Sequence, residues 1–96
     1  MKNSTHIIEI TRQPGQEALE KLGVFRWPLW TKEVSEFPWI YQEAETCYFL
    51  CGAVTVTPAG GGESVTMGQG DLVTFPAGLS CTWRIERDVK KHYRFG

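Results

Sequence analysis

The sequence lacks long apolar runs. None of its 96 residues lies in an uninterrupted apolar stretch of about 18 residues, and no basic segment leads into an apolar one near its start. We therefore expect neither a membrane span nor a signal peptide.

The sequence also lacks an excess of positive charge, because it has ten Lys and Arg residues and eleven Asp and Glu residues. Without a positive excess, the attraction to phosphates that drives nucleic-acid binding is absent, and no nucleic-acid partner is expected.

Cysteine is scarce as well. Three cysteines, an odd number, do not form a disulfide framework. Cys47 and Cys51 would lie roughly 13 Å apart on one strand, at about 3.3 Å per residue, which is too far for a disulfide bond. Their spacing also differs from that of a zinc knuckle. We therefore expect reduced thiols and a cytoplasmic protein.

The sequence contains one segment that is typical of a helix. Residues 16–23 combine strong helix formers with Leu19 and Leu22 on one face, and Gly23 is a typical C-terminal stop. Elsewhere, nine glycines and five prolines separate short apolar segments, which predicts about eight strands, with a turn at Gly52 and two separate strands after Gly78. The sequence thus predicts an all-β sandwich or barrel with one short N-terminal helix, forming a single domain over residues 1–96. Residues 59–62 are expected to be its loosest loop.

Residues 70–83 contain a motif with the spacing Gly-x5-Pro-x-Gly-x2-Cys, formed by Gly70, Pro76, Gly78 and Cys81. Pro76 fixes its φ and lacks a hydrogen-bond donor where a strand leaves a sheet, and Gly78 permits a φ that other residues adopt only at a cost. The spacing resembles the second conserved motif of the cupin superfamily of small jelly-roll barrels. In that motif a metal-binding histidine stands three residues after the Pro-x-Gly, where this chain has Cys81.

The first cupin motif is matched in the same incomplete way. Glu45 and Gly52, with six residues between them, fit its second half, while Trp39 and Tyr41 occupy its two histidine positions. The likeness is closest to a branch of small single-domain cupins related to the (S)-ureidoglycine aminohydrolases. This resemblance implies a cupin double-stranded β-helix, the jelly-roll barrel, and it implies a homodimer.

The metal site of this superfamily is not retained in the sequence. Its three histidine positions hold Trp39, Tyr41 and Cys81, and the two histidines of the chain, His6 and His92, lie outside both motifs. A catalytic metal site typically has three protein ligands, commonly including imidazoles. We therefore expect no metal and no other cofactor.

Alternation along the strands predicts which side chains face the inside of the barrel. The predicted lining, aromatic with one carboxylate and two thiols, consists of Trp39, Tyr41, Glu45, Cys47, Phe49, Phe75, Cys81, Trp83 and Tyr93. A carboxylate among aromatic rings needs hydrogen-bond donors, and Tyr41 and Trp83 are the expected ones. The basic side chains near the C-terminus are expected on the solvated strand surface, and they are Arg84, Arg87, Lys90, Lys91 and Arg94.

Three roles are open to Glu45: a hydrogen-bond partner for a ligand, a satisfied polar group of the core, or an acid/base catalyst. Cys81 has no neighbouring base in the motif, so no covalent role is expected for it. The first functional hypothesis is a barrel that binds a small-molecule metabolite in an aromatic pocket without a metal. The alternatives are an aminohydrolase- or isomerase-like enzyme, acting on a small nitrogenous or carbohydrate metabolite through Glu45, and a non-catalytic dimeric structural module.

Overall fold

The computed structural model describes residues 7–96, and seven strands account for most of them. Within these residues, one α-helix and one 3-10 turn at Val24–Arg26 are the other regular elements. The strands and the helix are β1 (Glu9–Arg12), α1 (Gln16–Leu22), β2 (Leu29–Lys32), β3 (Ser35–Ile40), β4 (Glu45–Pro58), β5 (Val65–Gly68), β6 (Asp71–Phe75) and β7 (Ser80–Phe95). The all-β architecture with one short N-terminal helix is confirmed. His6, one of the two histidines of the sequence, lies outside the described residues.

Two long strands, β4 and β7, organise the sheet. They pair antiparallel from Glu45 opposite Phe95 to Pro58 opposite Cys81. The first half of β4 also pairs with β6, and its second half pairs with β5. The strand order is β1-β6-β4-β7-β2, with β3 added to β7 and β5 added to β4. Because β7 pairs with β2, β3 and β4, side chains from three other strands meet along it.

The length of β4 and β7 corrects two sequence predictions. Gly52 was expected to turn the chain, and two separate strands were expected after Gly78. Instead, Gly52 sits inside β4 at φ 112°, and the β4–β7 register shifts around it. A Cβ at Gly52 would lie 2.8 Å from the backbone oxygen of Asp88, so glycine is required by this close approach. The register shifts here, but both strands continue.

The short elements follow their local sequence signals. The helix α1 ends at Gly23, which has φ 76° and donates its N–H to the carbonyl oxygen of Glu20 at 3.0 Å. Pro38 lies in β3, which pairs with β7 alone among the described strands, so the missing N–H is tolerated at an edge. No helix within residues 7–96 is long and apolar enough to cross a membrane.

Most core side chains come from β4, β6 and β7, and Met67 of β5 and the loop residues Tyr41 and Leu79 complete the core. Its buried members are Tyr41, Cys47, Phe49, Val54, Val56, Met67, Val73, Phe75, Leu79, Cys81, Trp83, Ile85 and Val89. Trp30, Phe37 and Tyr93 pack against this cluster from β2, β3 and β7. These partly buried aromatic rings border the cavity described next.

Candidate functional site

A cavity of about 210 Å³ opens beside the core. Its wall is aromatic apart from one carboxylate and one amine, and is formed by Trp30, Phe37, Trp39, Tyr41, Glu45, Trp83, Lys91, Tyr93 and Phe95. The rim is accessible, since Trp39 is 46% and Phe95 is 48% exposed. The two charged residues of the wall are buried, since Glu45 is 5% and Lys91 is 4% exposed. The two charged groups therefore face the cavity rather than bulk water.

Cross-strand pairing on β7 builds this wall. Trp30 on β2 stands opposite Lys91, and Phe37 on β3 stands opposite Trp83. On the other side of β7, Phe95 stands opposite Glu45 at the start of β4. Side chains directly opposite each other on neighbouring strands lie within contact distance. The long strand β7 thus brings residues from four separate segments around one space.

Tyr41 lies outside the strands and is held in place by two backbone hydrogen bonds. Its N–H donates to the carbonyl oxygen of Leu79 at 2.8 Å, and its own carbonyl oxygen accepts from the N–H of Gly78 at 2.7 Å. Gly78 has φ 89°, so the positive φ expected in the Pro76–Gly78 turn is confirmed. The turn that follows β6 therefore fixes the residue that follows β3.

Lys91 and Glu45 form a buried ion pair at the base of the cavity. The Nζ of Lys91 lies 2.9 Å from Oε2 of Glu45, and the two side chains are 5% and 6% exposed. The same Nζ lies 4.6 Å from the ring centre of Trp83 and 4.8 Å from that of Trp30. Both distances suit cation–π attraction to an indole ring. The ammonium is thus held by a carboxylate and two indole rings.

A second polar contact joins Tyr41 and Trp83. The indole Nε1 of Trp83 donates to the hydroxyl oxygen of Tyr41 at 3.0 Å. The ring of Tyr41 stacks on Phe75, with centroids 4.7 Å apart and planes 7° apart. Burial raises the pKa of Tyr41, and the nearby Glu45 raises it further, so this side chain remains a neutral phenol.

These contacts correct two sequence predictions. Tyr41 and Trp83 were expected to donate to Glu45, but Trp83 donates to Tyr41 and Lys91 donates to Glu45. Lys91 was expected on the solvated surface, but it is buried. The reason is strand alternation, because Lys91 is two residues from Tyr93 and so shares its face of β7. His92 alternates to the opposite face, where its Nδ1 lies 2.9 Å from the carbonyl oxygen of Trp27.

The nine residues predicted to line the pocket divide into two groups. The structure places five at the cavity wall, and these are Trp39, Tyr41, Glu45, Trp83 and Tyr93. It places four in the packed core behind the wall, and these are Cys47, Phe49, Phe75 and Cys81. Phe49 and Phe75 still surround the ammonium of Lys91 from the core side, since their ring centres lie 5.8 and 6.0 Å from its Nζ.

Four residues of the wall were missed from the sequence. Alternation would have found three of them, because Phe37 is two residues from Trp39, and Lys91 and Phe95 flank Tyr93 at the same spacing. Trp30 reaches the cavity through the pairing of β2 with β7, for which the sequence holds no local signal.

The two buried thiols are poor nucleophiles. Burial raises the pKa of Cys47 to about 12, against the opposing influence of nearby Lys91. Burial likewise raises the pKa of Cys81 to about 11. Both remain protonated near neutral pH, and the thiolate is the reactive form. The reactive candidates at this site are therefore the carboxylate of Glu45 and the amine of Lys91.

Comparisons with known proteins agree with this fold and place the chain in a family. The antiparallel barrel with its aromatic cavity is of the cupin class. The EutQ-like cupin domain matches residues 19–93, so the chain belongs to the EutQ-like cupin family. The expected cupin jelly roll is thereby confirmed. No match is found among proteins of curated function.

Solved structures support the same conclusion. A DUF861 family protein from Thermotoga maritima is 47% identical, with a TM-score of 0.89, over 94% of this chain and 100% of that one. The EutQ protein of Clostridium difficile is 18% identical, with a TM-score of 0.62, over 70% of this chain and 52% of EutQ. A putative ethanolamine utilization protein Q from Salmonella typhimurium is 24% identical, with a TM-score of 0.62, over 70% of this chain and 53% of that one. This chain spans about half the length of these two proteins, which share its fold.

The residues at the cavity do not suit the metal that cupins commonly hold. Within residues 7–96, no three His, Cys, Asp or Glu side chains are grouped so that they could ligate an ion. Glu45 already binds the ammonium of Lys91, and a positive charge 2.9 Å from its oxygen opposes the approach of a cation.

Proposed function

We propose that this protein binds a small-molecule metabolite in the aromatic cavity without using a metal. The observation that supports this is the Lys91–Glu45 ion pair, which is buried from bulk water but lines an accessible cavity. Removing two charges from water is expensive, and well-packed apolar residues usually give at least equal stability at such a position. A charged pair that opens onto an aromatic cavity is thus better explained by a ligand than by stability.

The site defines the kind of ligand it would accept. Lys91 and Glu45 together carry no net charge, so an uncharged molecule can enter without leaving an unpaired charge in a buried site. Lys91 can donate a hydrogen bond to its carbonyl or hydroxyl oxygen, and Glu45 can accept one. The volume of about 210 Å³ lies between a roughly 150 Å³ cavity that takes benzene and the roughly 300 Å³ of ordinary ligand pockets. We propose a flat, polar-edged molecule of about the size of a substituted aromatic ring.

A thermal-shift screen of small metabolites, followed by calorimetric titration of the best ligand, tests this proposal. We expect Glu45→Gln to weaken binding by about 10- to 150-fold, the equivalent of a charge-assisted hydrogen bond. Glu36→Gln, which alters an exposed carboxylate on β3, is the matched control and should bind as the wild type does. A chelator should leave the affinity unchanged. Equal affinity of Glu45→Gln and wild type would contradict the proposal.

An enzyme is the second candidate. It is favoured by the direct contact between an amine and a carboxylate at the cavity wall, because such a pair can exchange a proton. The likeness to ureidoglycine aminohydrolases in the sequence suggests a small nitrogenous substrate, with a carbohydrate metabolite as the other option. In that case Glu45→Gln would leave binding nearly intact and lower turnover by about 10²- to 10⁴-fold.

We also propose how the protein assembles and where it is located. We propose a single-domain homodimer, supported by the exposed apolar side chains Trp39, Ile40 and Phe95 near the cavity mouth. Light scattering on the purified protein tests it. If no ligand is found but a dimer is observed, a non-catalytic dimeric structural module becomes the better description.

The three free cysteines suit a reducing compartment, and we propose a cytoplasmic location.

A further inference from the structure

Lys91 differs from an ordinary surface lysine in its surroundings. Its side chain is 5% exposed, yet it forms part of the wall of a cavity whose rim is accessible. Its Nζ contacts the carboxylate of Glu45 and lies over the rings of Trp30 and Trp83. A primary amine in an apolar site, next to a group that can take its proton, is the arrangement in which lysine acts as a nucleophile.

We propose that Lys91 forms a reversible imine with a small aldehyde or ketone that enters the aromatic cavity. This inference rests on the proposed function, because the cavity must first admit a small molecule. It goes further by naming a carbonyl compound as the ligand class and Lys91 as the residue that bonds to it.

The steps balance with Glu45 as the only proton relay. Lys91 first gives a proton to Glu45, and the free amine attacks the carbonyl carbon, so that a C–N bond forms and Glu45 protonates the oxygen. The nitrogen of this adduct returns a proton to Glu45. Glu45 then protonates the hydroxyl group, the C–O bond breaks, water leaves, and the nitrogen lone pair forms the C=N bond. The products are a protonated imine, a Glu45 carboxylate and one water, with no change in net charge.

The site stabilises the protonated imine by the same contacts that stabilise the ammonium of Lys91. The positive charge stays on the same nitrogen, so the contact with Glu45 and the attraction to the two indole rings are retained. Among residues 7–96, no other amine and no thiol lines the cavity wall, because the buried Cys47 and Cys81 lie behind it. The aromatic wall also favours a ligand whose carbonyl is attached to a flat apolar group.

Benzaldehyde with cyanoborohydride tests the proposal, because the reductant converts an imine into a stable benzyl group that peptide mapping can locate. We expect one benzyl group on Lys91 in wild type and in Lys90→Arg, formed at least about tenfold faster than on exposed lysines such as Lys32. Lys91→Arg keeps the positive charge but removes the amine, and should lose this label. Glu45→Gln keeps the amine but removes the proton relay, and should slow labelling by about 10²-fold.

Benzyl alcohol, which has no carbonyl, separates the two proposals. If it shifts the melting temperature but benzaldehyde labels only the exposed lysines, the cavity binds small molecules and the imine proposal is overturned. If neither effect occurs at the cavity, both proposals fail. Labelling of Lys91 at the same rate in Glu45→Gln would contradict the proton relay. If Lys91→Arg does not fold, the map of labelled lysines in wild type and Lys90→Arg still decides.

Discussion

At the scale of single residues, the pair of Glu45 and Lys91 constrains the molecule most. Each side chain is only 5–6% exposed, so a charge that loses its partner is poorly solvated. A buried pair contributes little net stability relative to apolar residues, but an unpaired buried charge is strongly unfavourable. Replacing one member of the pair should therefore lower stability much more than replacing both.

A double-mutant cycle tests this coupling. Lys91→Met should lower the free energy of unfolding by about 3–5 kcal/mol, because it leaves the Glu45 carboxylate buried and unpaired. The double variant with Glu45→Met as well should recover most of that loss, since two apolar side chains replace two charges. Urea unfolding of the wild type, both single variants and the double variant gives the coupling energy.

An exposed ion pair serves as the control for this cycle. Arg84 and Glu86 lie 3.2 Å apart with side chains 58% and 45% exposed, so Arg84→Met should cost at most about 1 kcal/mol. A double variant at Glu45 and Lys91 that is no more stable than Lys91→Met would show that the pair is not coupled.

At the scale of elements, the turn between β6 and β7 links the scaffold to the cavity. Gly78 has φ 89°, and its N–H donates to the carbonyl oxygen of Tyr41. A side chain at this φ is strained, and a shift of the turn would move Tyr41 at the cavity wall. The loop at residues 59–62, expected from the sequence to be the loosest, does not offer a control position at Gly61, because Gly61 also has a positive φ of 97°.

Serine substitutions at two glycines separate backbone strain from the loss of a glycine in general. Gly78→Ser should lower the free energy of unfolding by about 1–3 kcal/mol. Gly15→Ser is the matched control, because Gly15 is the N-cap of α1 at φ −69° and a Cβ there meets no atom within 4 Å. Serine suits an N-cap, so Gly15→Ser should be neutral or stabilising by a few tenths of a kcal/mol. Equal losses in the two variants would contradict the role of φ at Gly78.

At the scale of the whole molecule, local signals predicted the fold better than the site. Gly23, Pro76 and Gly78 act on neighbouring backbone, so their consequences are visible in the sequence. The cavity instead depends on which strands pair, and Trp30 reaches it only because β2 adds to β7. Lys91 was misplaced for a different reason: its charge favours solvent on average, and here its position on the strand and a buried carboxylate outweigh that preference.

Burial of ionisable groups makes the stability of the whole molecule dependent on alkaline pH. Burial raises the pKa of Cys47 from 9.0 to about 12 and that of Cys81 from 9.0 to about 11, and it raises the pKa of Tyr41 as well. Above about pH 9, the unfolded chain loses protons that the folded chain keeps, so the free energy of unfolding falls as the pH rises. Below the ordinary pKa of a thiol, these groups contribute no pH dependence.

Urea unfolding in the presence of a reductant, at several pH values between about 9 and about 11, measures this slope. Each thiol that stays protonated in the fold should lower stability by about 1.4 kcal/mol per pH unit in this range. Cys47→Ala should therefore show a slope that is shallower by about that amount, whatever its stability near neutral pH. Cys51→Ala removes an exposed thiol and is the matched control. If both alanine variants show the same slope, burial of Cys47 does not cause the alkaline loss of stability.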